Sequence, residues 1–175
     1  MSRSQILIGL ALVSFGVGVT LVALFVWMTD PFYLKAPSDD RLVALFRAHR
    51  AEFDALREMA LEDWRTSTYI RSSTLERSGL DKSRRDSYRR LLSTIDSGNL
   101  IITVDHQSNS VRFISATGGI AAFGPGWLKG IEYFPEKSDR EGLITENLDS
   151  PSRLTAGVYL KPIEPMWFIL FQKTD

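Results

Sequence analysis

The hydrophobic pattern divides the chain into an apolar N-terminal run and a longer stretch of mixed polarity. Residues 6–28 form a run of 23 without a charge or a proline. At the helical rise the run spans ~34 Å, enough to cross the ~30 Å hydrocarbon core of a bilayer. A helix satisfies its own backbone groups in lipid, which a loop or an open sheet does not. We therefore predict a transmembrane anchor over residues 1–29 and a linker over residues 30–37.

A cleaved secretory signal is the alternative for this run, because Arg3 supplies a small positive leader. A signal's apolar core is typically ~7 to 15 residues and ends at a small-x-small cleavage site. This run is longer, and the residues from Trp27 to Pro31 offer no such site, which favours an uncleaved anchor. Counting Lys and Arg on the two sides leaves the orientation open. A short leader before a large domain is nevertheless typical of a signal anchor, so we expect residues 38–175 in the periplasm and the anchor in a bacterial inner membrane.

The first element predicted after the linker is an amphipathic helix. Ser38 suits the N-cap position, and two acidic residues follow it where the helix dipole favours negative charge. Apolar positions then recur at spacings of three and four from Leu42 to Ala60, so that charged residues occupy the opposite face. Residues 66–79 lose this period and indicate a loop, with at most a short extended piece at residues 69–70.

A second helix and then a series of strands complete the predicted fold. The helix begins at Asp81 as N-cap and stops at Gly98, a favourable C-cap position. Beyond it, short β-branched and apolar segments alternate with turn composition. They predict strands at residues 100–104, 111–115, 120–123, 128–134, 156–163 and 166–172, a charged loop at 136–141, and a short helix or turn at 143–148. The fold class is therefore α+β, with two amphipathic helices packed on an antiparallel sheet of about five strands.

Charge is balanced overall and uneven locally. The chain has 21 Lys and Arg and 21 Asp and Glu, so no global charge favours nucleic acid. Residues 65–90 hold eight Lys and Arg against three Asp and Glu, whereas residues 132–149 carry an excess of acids. Near an anchor, a basic stretch can contact anionic lipid or an acidic partner, or it can be ordinary solvated surface. The candidate partner or lipid contacts are Arg71, Arg77, Lys82, Arg84, Arg85, Arg89 and Arg90.

Residue types that carry catalytic or metal chemistry are few. The chain has no cysteine, which excludes thiol nucleophiles, thiolate zinc sites and disulfides. His49 and His106 lack metal-ligand spacing, and we interpret them as a hydrogen-bonded helix residue at the edge of the core and a solvated turn residue. Glycines at 118, 119, 124, 126 and 130 lack the pattern of a phosphate loop and favour turns and bulges. We predict no catalytic residue, no metal and no cofactor.

Several segments of the domain resemble a known group of proteins. They are GWLKGIEY at residues 126–133, LDS at 148–150 and VYLKPIEPMWFILF at 158–171, with helical positions Asp40, Leu42, Phe46, His49, Arg50, Phe53, Leu56, Tyr88, Leu91 and Leu92. The pattern resembles a widespread group of small, uncharacterised bacterial envelope proteins, often lipoproteins or single-span anchored proteins. The resemblance covers most of residues 38–172. It implies an exported domain, supplies no catalytic residue, and replaces the lipidated cysteine of such relatives by a transmembrane helix.

These observations favour a function in binding rather than in turnover. We expect a single-pass membrane-anchored module with an unidentified protein partner, for example an inhibitor or immunity-like protein. A structural accessory subunit of an envelope complex is the alternative, and a hydrolase with an unrecognised site is a third. Within the anchor, Ser14 and Gly18 form a small-xxx-small pair that lets two membrane helices pack closely.

Overall fold

The computed structural model describes residues 36–95, 100–119, 126–135, 144–149 and 154–174. Within them, helices and an antiparallel sheet form an α+β fold, which confirms the predicted class. The helices are α1 Asp39–Ala48, α2 Arg50–Asp63 and α3 Lys82–Ile95, with a 3-10 helix at Ser72–Arg77. The strands are β1 Tyr69–Arg71, β2 Ile101–Asp105, β3 Ser110–Gly119, β4 Gly126–Tyr133, β5 Gly157–Glu164 and β6 Trp167–Lys173.

The predicted anchor and most of the linker fall outside the described residues, and so do Ser14 and Gly18. In the part of the chain that is described, no helix has the length and apolarity needed to cross a membrane. The anchor over residues 1–29 stays a prediction.

The first helix is interrupted, so the prediction of one continuous helix over residues 38–60 is wrong. Ser38 does cap α1, because its Oγ accepts a hydrogen bond from the Arg41 N–H at 3.3 Å. The chain leaves helical geometry at His49, where φ is −126° and ψ is 32°. The His49 N–H still donates to the carbonyls of Leu45 and Phe46, at 3.1 and 3.2 Å. The apolar stripe therefore continues across the break into α2.

The predicted cap of α3 is confirmed, and the loop before it is only partly a loop. Asp81 Oδ1 accepts a hydrogen bond from the Arg84 N–H at 2.8 Å, which satisfies one free donor of the first turn. Within the predicted loop, residues 69–71 form β1, as the extended piece suggested. The 3-10 helix at Ser72–Arg77 was not predicted; it buries Leu75 against the core. The proposed C-cap, Gly98, lies outside the described residues.

The sheet has six strands in the order β1-β2-β3-β4-β6-β5, all antiparallel, against about five predicted. The two predicted hairpins, β2 with β3 and β5 with β6, are confirmed. Residues 144–149 contain no helix; Ile144 instead forms an isolated parallel bridge with Leu160 on β5. The predicted strand at 120–123 and the charged loop at 136–141 lie outside the described residues.

One face of the sheet carries the core. Ile102, Phe113 and Trp167 on this face pack with Phe46 of α1 and Phe53 of α2 in one buried cluster. Phe46 lies 4.9 Å from Trp167, and Phe53 lies edge-on to Phe113 at 5.0 Å, measured between ring centroids. Full burial of each such side chain stabilises the fold by roughly 1.5–3 kcal/mol. The residues next to these positions along each strand point to the opposite face, because side chains alternate along a strand.

A β-bulge bends the sheet between β3 and β4. The pairing register shifts between Ile114 and Ala116, which leaves Ser115 as the extra residue. Gly130 lies opposite the bulge, and a Cβ there would lie 2.1 Å from the Phe113 carbonyl oxygen. A side chain does not fit at this position. The prediction that the glycines serve bends and bulges is therefore confirmed at Gly130.

Candidate functional site

The seven predicted contact residues do not form one surface. Arg71 lies on β1, Arg77 ends the 3-10 helix, and the other five belong to α3. Some of them pair with acids of the same domain, and others have no such partner among the described residues. These two groups differ in what they can offer a binding partner, because a cation already held in an ion pair must first give that pair up.

Arg84 fastens α3 to α2. Its Nε donates to Asp63 Oδ2 at 2.6 Å, and one terminal nitrogen donates to Glu62 Oε2 at 2.7 Å and to the Met59 carbonyl at 3.1 Å. The hydroxyl of Tyr88 donates to the same Asp63 oxygen at 3.0 Å. Burial, followed by the negative charge of Asp63, raises the pKa of Tyr88, so this hydroxyl stays protonated. Arg84 therefore serves the structure of the domain.

Arg85 and Arg89 pair with the 3-10 helix. Both guanidinium groups approach Glu76, with N to O distances of 3.4 and 2.7 Å, and Arg89 also pairs with Asp86 one turn earlier in α3. Glu76 and Arg89 are largely solvated, so each pair contributes at most about 1 kcal/mol. These two arginines neutralise nearby acids and add little positive potential to the surface.

The remaining cations of the helical segment are Arg77, Lys82 and Arg90. All three are exposed, and none forms an ion pair with an acid in the described part of the chain. Arg71 is half-buried and lies on the sheet face that the helices do not cover. The predicted basic stretch thus consists of three groups: arginines held in ion pairs within the domain, exposed cations without such a pair among the described residues, and Arg71 on the sheet.

A partly buried ion cluster, which sequence reasoning missed, lies where α1 begins. Asp39 and Lys129 are each only 1% exposed. Lys129 Nζ lies 2.8 Å from Asp39 Oδ1 and 2.8 Å from Asp149 Oδ1, and Lys161 Nζ donates to Asp39 Oδ2 at 3.0 Å. The Leu148 N–H also donates to Asp39, and the Asp39 N–H donates to Asp149. Two carboxylates and two ammonium groups thus tie α1 to β4, β5 and residues 148–149.

The acidity of Asp39 follows from these contacts. Burial alone raises the pKa of its carboxyl, but hydrogen bonds from Lys129, Leu148 and Lys161, together with the charge of Lys129, outweigh burial and lower the pKa. Asp39 is therefore ionised at neutral pH, with Lys129 beside one carboxylate oxygen and Lys161 and the Leu148 N–H on the other. The cluster is suited to holding the helix in place and not to acid–base chemistry.

The alternation of side chains along a strand predicts on which face of the sheet Lys129 and Lys161 lie. Lys129 lies between the inward positions Trp127 and Ile131, and Lys161 lies two residues before Ile163, which packs against the core. Because alternate residues share a face, both lysines had to point toward the helices. Nothing local to Asp39 distinguished it from the adjacent Asp40, which is exposed.

The histidines do not join either cluster. His49 is half-buried, as predicted for the edge of the core, but it lies outside both helices at the break between α1 and α2, so the interpretation as a helix residue is wrong. As the N-cap of α2 it makes no side-chain cap hydrogen bond. His106 is exposed in the turn after β2, as predicted, and its ring lies edge-on to Trp64 at 4.9 Å. Among the described residues, no group of three or more His, Asp and Glu side chains is placed to hold a metal ion.

Comparison with known proteins gives no match to a family model, to a curated protein or to a solved structure. The resemblance to small bacterial envelope proteins stays a prediction.

Proposed function

We propose that this chain is a single-pass membrane-anchored module that binds an acidic protein partner on the periplasmic side of a bacterial inner membrane. An inhibitor or immunity-like role near the membrane fits such a module. The observation that carries the proposal is the exposure of Arg77, Lys82 and Arg90 without an acidic partner in the described part of the chain. The uncharged run at residues 6–28 supports the anchor.

The exposed cations suit recognition for an electrostatic reason. Arg77, Lys82 and Arg90 need not break an internal ion pair to meet an acidic surface, unlike Arg84 with its three acceptors. Surface cations of this kind speed encounter with a partner of opposite charge and discriminate against basic ones. With 21 cations and 21 acids in the chain, this local surface and not the net charge selects the partner.

Photocrosslinking in intact cells tests this surface. The full-length chain carries a crosslinker at Ser83, which is exposed on α3 close to Lys82. We expect one dominant partner adduct, which the double variant R77E/R90E reduces about tenfold or more. The matched control is R41E/R47E, which changes the net charge equally at exposed positions of α1 and is expected to leave the adduct unchanged.

The outcomes separate the three interpretations of the basic stretch. Equal crosslinking of both double variants means that these cations are ordinary solvated surface, and the proposal then fails. Loss of the adduct together with loss of binding to vesicles of anionic lipid points to a lipid surface, which also contradicts it. Loss of a protein adduct with unchanged vesicle binding supports it.

A structural accessory subunit is the second candidate, and the Ser14 and Gly18 pair favours it because small residues let membrane helices pack closely. In that case the association resides in the anchor. Replacing residues 1–29 by an unrelated single-span segment then abolishes copurification, whereas a module that binds through its domain keeps its partner after the same exchange.

A further inference from the structure

A small pocket opens on the sheet face opposite the helices, beside the β-bulge. Its volume is about 250 Å³, and it is lined by Arg71, Ile101, Ile114, Ser115, Ala116 and Thr117. Arg71, Ile101 and Ile114 are direct cross-strand neighbours on β1, β2 and β3. Their positions alternate with Ile70, Ile102 and Phe113, which lie in the core, so this row points away from the helices.

Two polar atoms of these lining residues are buried without a hydrogen-bond partner among the described residues. They are Nε of Arg71 and Oγ of Ser115. Buried donors of this kind are normally paired with protein or with ordered water, so these two atoms have unused capacity for an acceptor. The bulge explains how Ser115 comes to be there, because the extra residue has no place in the ladder.

The chemistry of the lining selects a class of ligand. Arg71 is the one charged side chain among the described lining residues, and Ser115 and Thr117 add hydroxyl groups. A guanidinium pairs with a carboxylate through two parallel hydrogen bonds. Ile101 and Ile114 provide an apolar surface beside it. The single charge of Arg71 suits a ligand with one negative charge, and the apolar side chains of Ile101 and Ile114 suit a short hydrocarbon group on that ligand.

We propose that this pocket binds a carboxylate that bears a short apolar group. The carboxylate pairs with the Nε edge of Arg71 and accepts from Ser115, while the apolar group lies on Ile101 and Ile114. A volume of about 250 Å³ accommodates about seven or eight heavy atoms, since one water occupies ~30 Å³ in the liquid. A free short-chain acid and the C-terminal residue of a peptide both present this chemistry.

The proposal does not depend on the acidic partner proposed above. Arg71 is on the sheet, whereas Arg77 and Arg90 are on the helical segment, so variants at the two places report separately. If the R77E/R90E variant keeps its partner and the pocket still binds its ligand, the proposed surface alone has failed. If R77E/R90E loses the partner and the pocket binds none of the probes, the pocket alone is rejected.

Nuclear magnetic resonance titration of the full-length chain in zwitterionic nanodiscs tests the pocket. The probes are pentanoate against pentanamide, and a tripeptide ending in valine with either a free or an amidated C-terminus. We expect the carboxylate probes to shift the backbone amides of Ile101 and of residues 114–117. The neutral amides should bind at least about tenfold more weakly, because a charge-assisted pair is lost.

Variants locate the site. We expect R71Q to weaken binding of the carboxylate about tenfold or more, and R47Q, at an exposed cation of α1, to leave it unchanged. Binding of pentanoate assigns the pocket to small acids, and binding of the free tripeptide alone assigns it to a peptide C-terminus; both support the inference. Equal affinity for the acid and its amide, or no shift with any probe, overturns it without reference to any variant's folding.

Discussion

Asp39 ties the start of α1 to the sheet through lysines that lie far away in the chain. The substitution D39N removes a negative charge next to Lys129, which is 1% exposed. Removing one partner of a buried pair costs about 3–5 kcal/mol. We expect about 2–4 kcal/mol here, because Asp149 stays 2.8 Å from the Lys129 ammonium. Urea unfolding of the full-length protein, followed by tryptophan fluorescence, measures the change.

Asp40 provides the matched control, since it is the next residue, has the same charge and is exposed. D40N loses a favourable interaction with the helix dipole and a weak attraction to Lys161, so we expect a cost below about 1 kcal/mol. Equal costs for the two variants would mean that the Asp39 cluster contributes no more than surface charge.

The same carboxylate predicts how stability depends on pH. The pKa of Asp39 is lowered in the folded state, so its contribution is present above the unfolded value, ~3.9, and disappears as pH falls through the folded pKa. Wild type and D39N should therefore differ at neutral pH and converge below about pH 4. A gap between them that stays constant into strong acid contradicts the assigned ionisation of Asp39.

The long separation between Asp39 and its partners in the chain explains why the sequence did not predict its role. The N-cap at Ser38 and the acidic first turn followed from local rules, and both are present. The partner Lys161 lies 122 residues further along the chain, and a single sequence contains no signal that joins the two. Parity places Lys129 and Lys161 on the inner face, but it does not say which acid meets them.

The joint between α2 and α3 is the contact of Arg84 on α3 with Asp63, Glu62 and Met59 on α2. R84A removes the hydrogen bonds to Asp63, Glu62 and the Met59 carbonyl, and among the described residues it leaves the Asp63 carboxylate only the Tyr88 hydroxyl. We expect a loss of about 1–3 kcal/mol in the free energy of unfolding, because Asp63 is then a half-buried charge without a cation. Thermal or urea unfolding measures it.

R89A on the same helix is the control for this joint. Arg89 is half exposed, and its ion pairs in the described part of the chain are with solvated Asp86 and Glu76, so its removal should cost at most about 1 kcal/mol. Should R84A leave stability unchanged while it weakens crosslinking to a partner, Arg84 belongs to the binding surface and not to the joint.

Helices and strands were predictable where their apolar residues recur at a regular spacing. The apolar stripe of α1 and α2, the Asp81 cap and the two hairpins follow from spacing and turn composition. The 3-10 helix at Ser72–Arg77 has only Leu75 buried, so it shows no period to read. The break at His49 interrupts the helix without interrupting the stripe. Counting charges over residues 65–90 could not separate paired arginines from free ones, because pairing depends on packing between helices.

At the scale of the whole molecule, local hairpins do not determine the order of strands. Both hairpins were predicted, but β6 rather than β5 lies beside β4, which depends on contacts between distant segments. The pocket has the same origin. Arg71 and Ser115 are 44 positions apart in the sequence, and only the pairing of three strands and the bulge bring them together.

The anchor gives the last prediction. Of the 23 residues in the run, 14 are Leu, Ile, Val or Phe, each favouring insertion by roughly 0.3–0.6 kcal/mol near a helix centre. We expect the full-length protein to stay in carbonate-washed membranes. Fused at its C-terminus, an alkaline phosphatase should be active and a cytosol-dependent fluorescent protein dark. Deleting residues 1–29 should release the domain and abolish the phosphatase signal.

Two results would reject this topology in different ways. A fluorescent C-terminal fusion without phosphatase activity places the domain in the cytoplasm, where the acidic partner must then be sought. A mature protein whose N-terminus lies beyond residue 30 means that the run is a cleaved signal, and a domain without its tether is free to diffuse. A tether on the same membrane as the partner raises the effective concentration of the module near that partner. Cleavage of the run would therefore also remove the proximity that an inhibitor near the membrane requires.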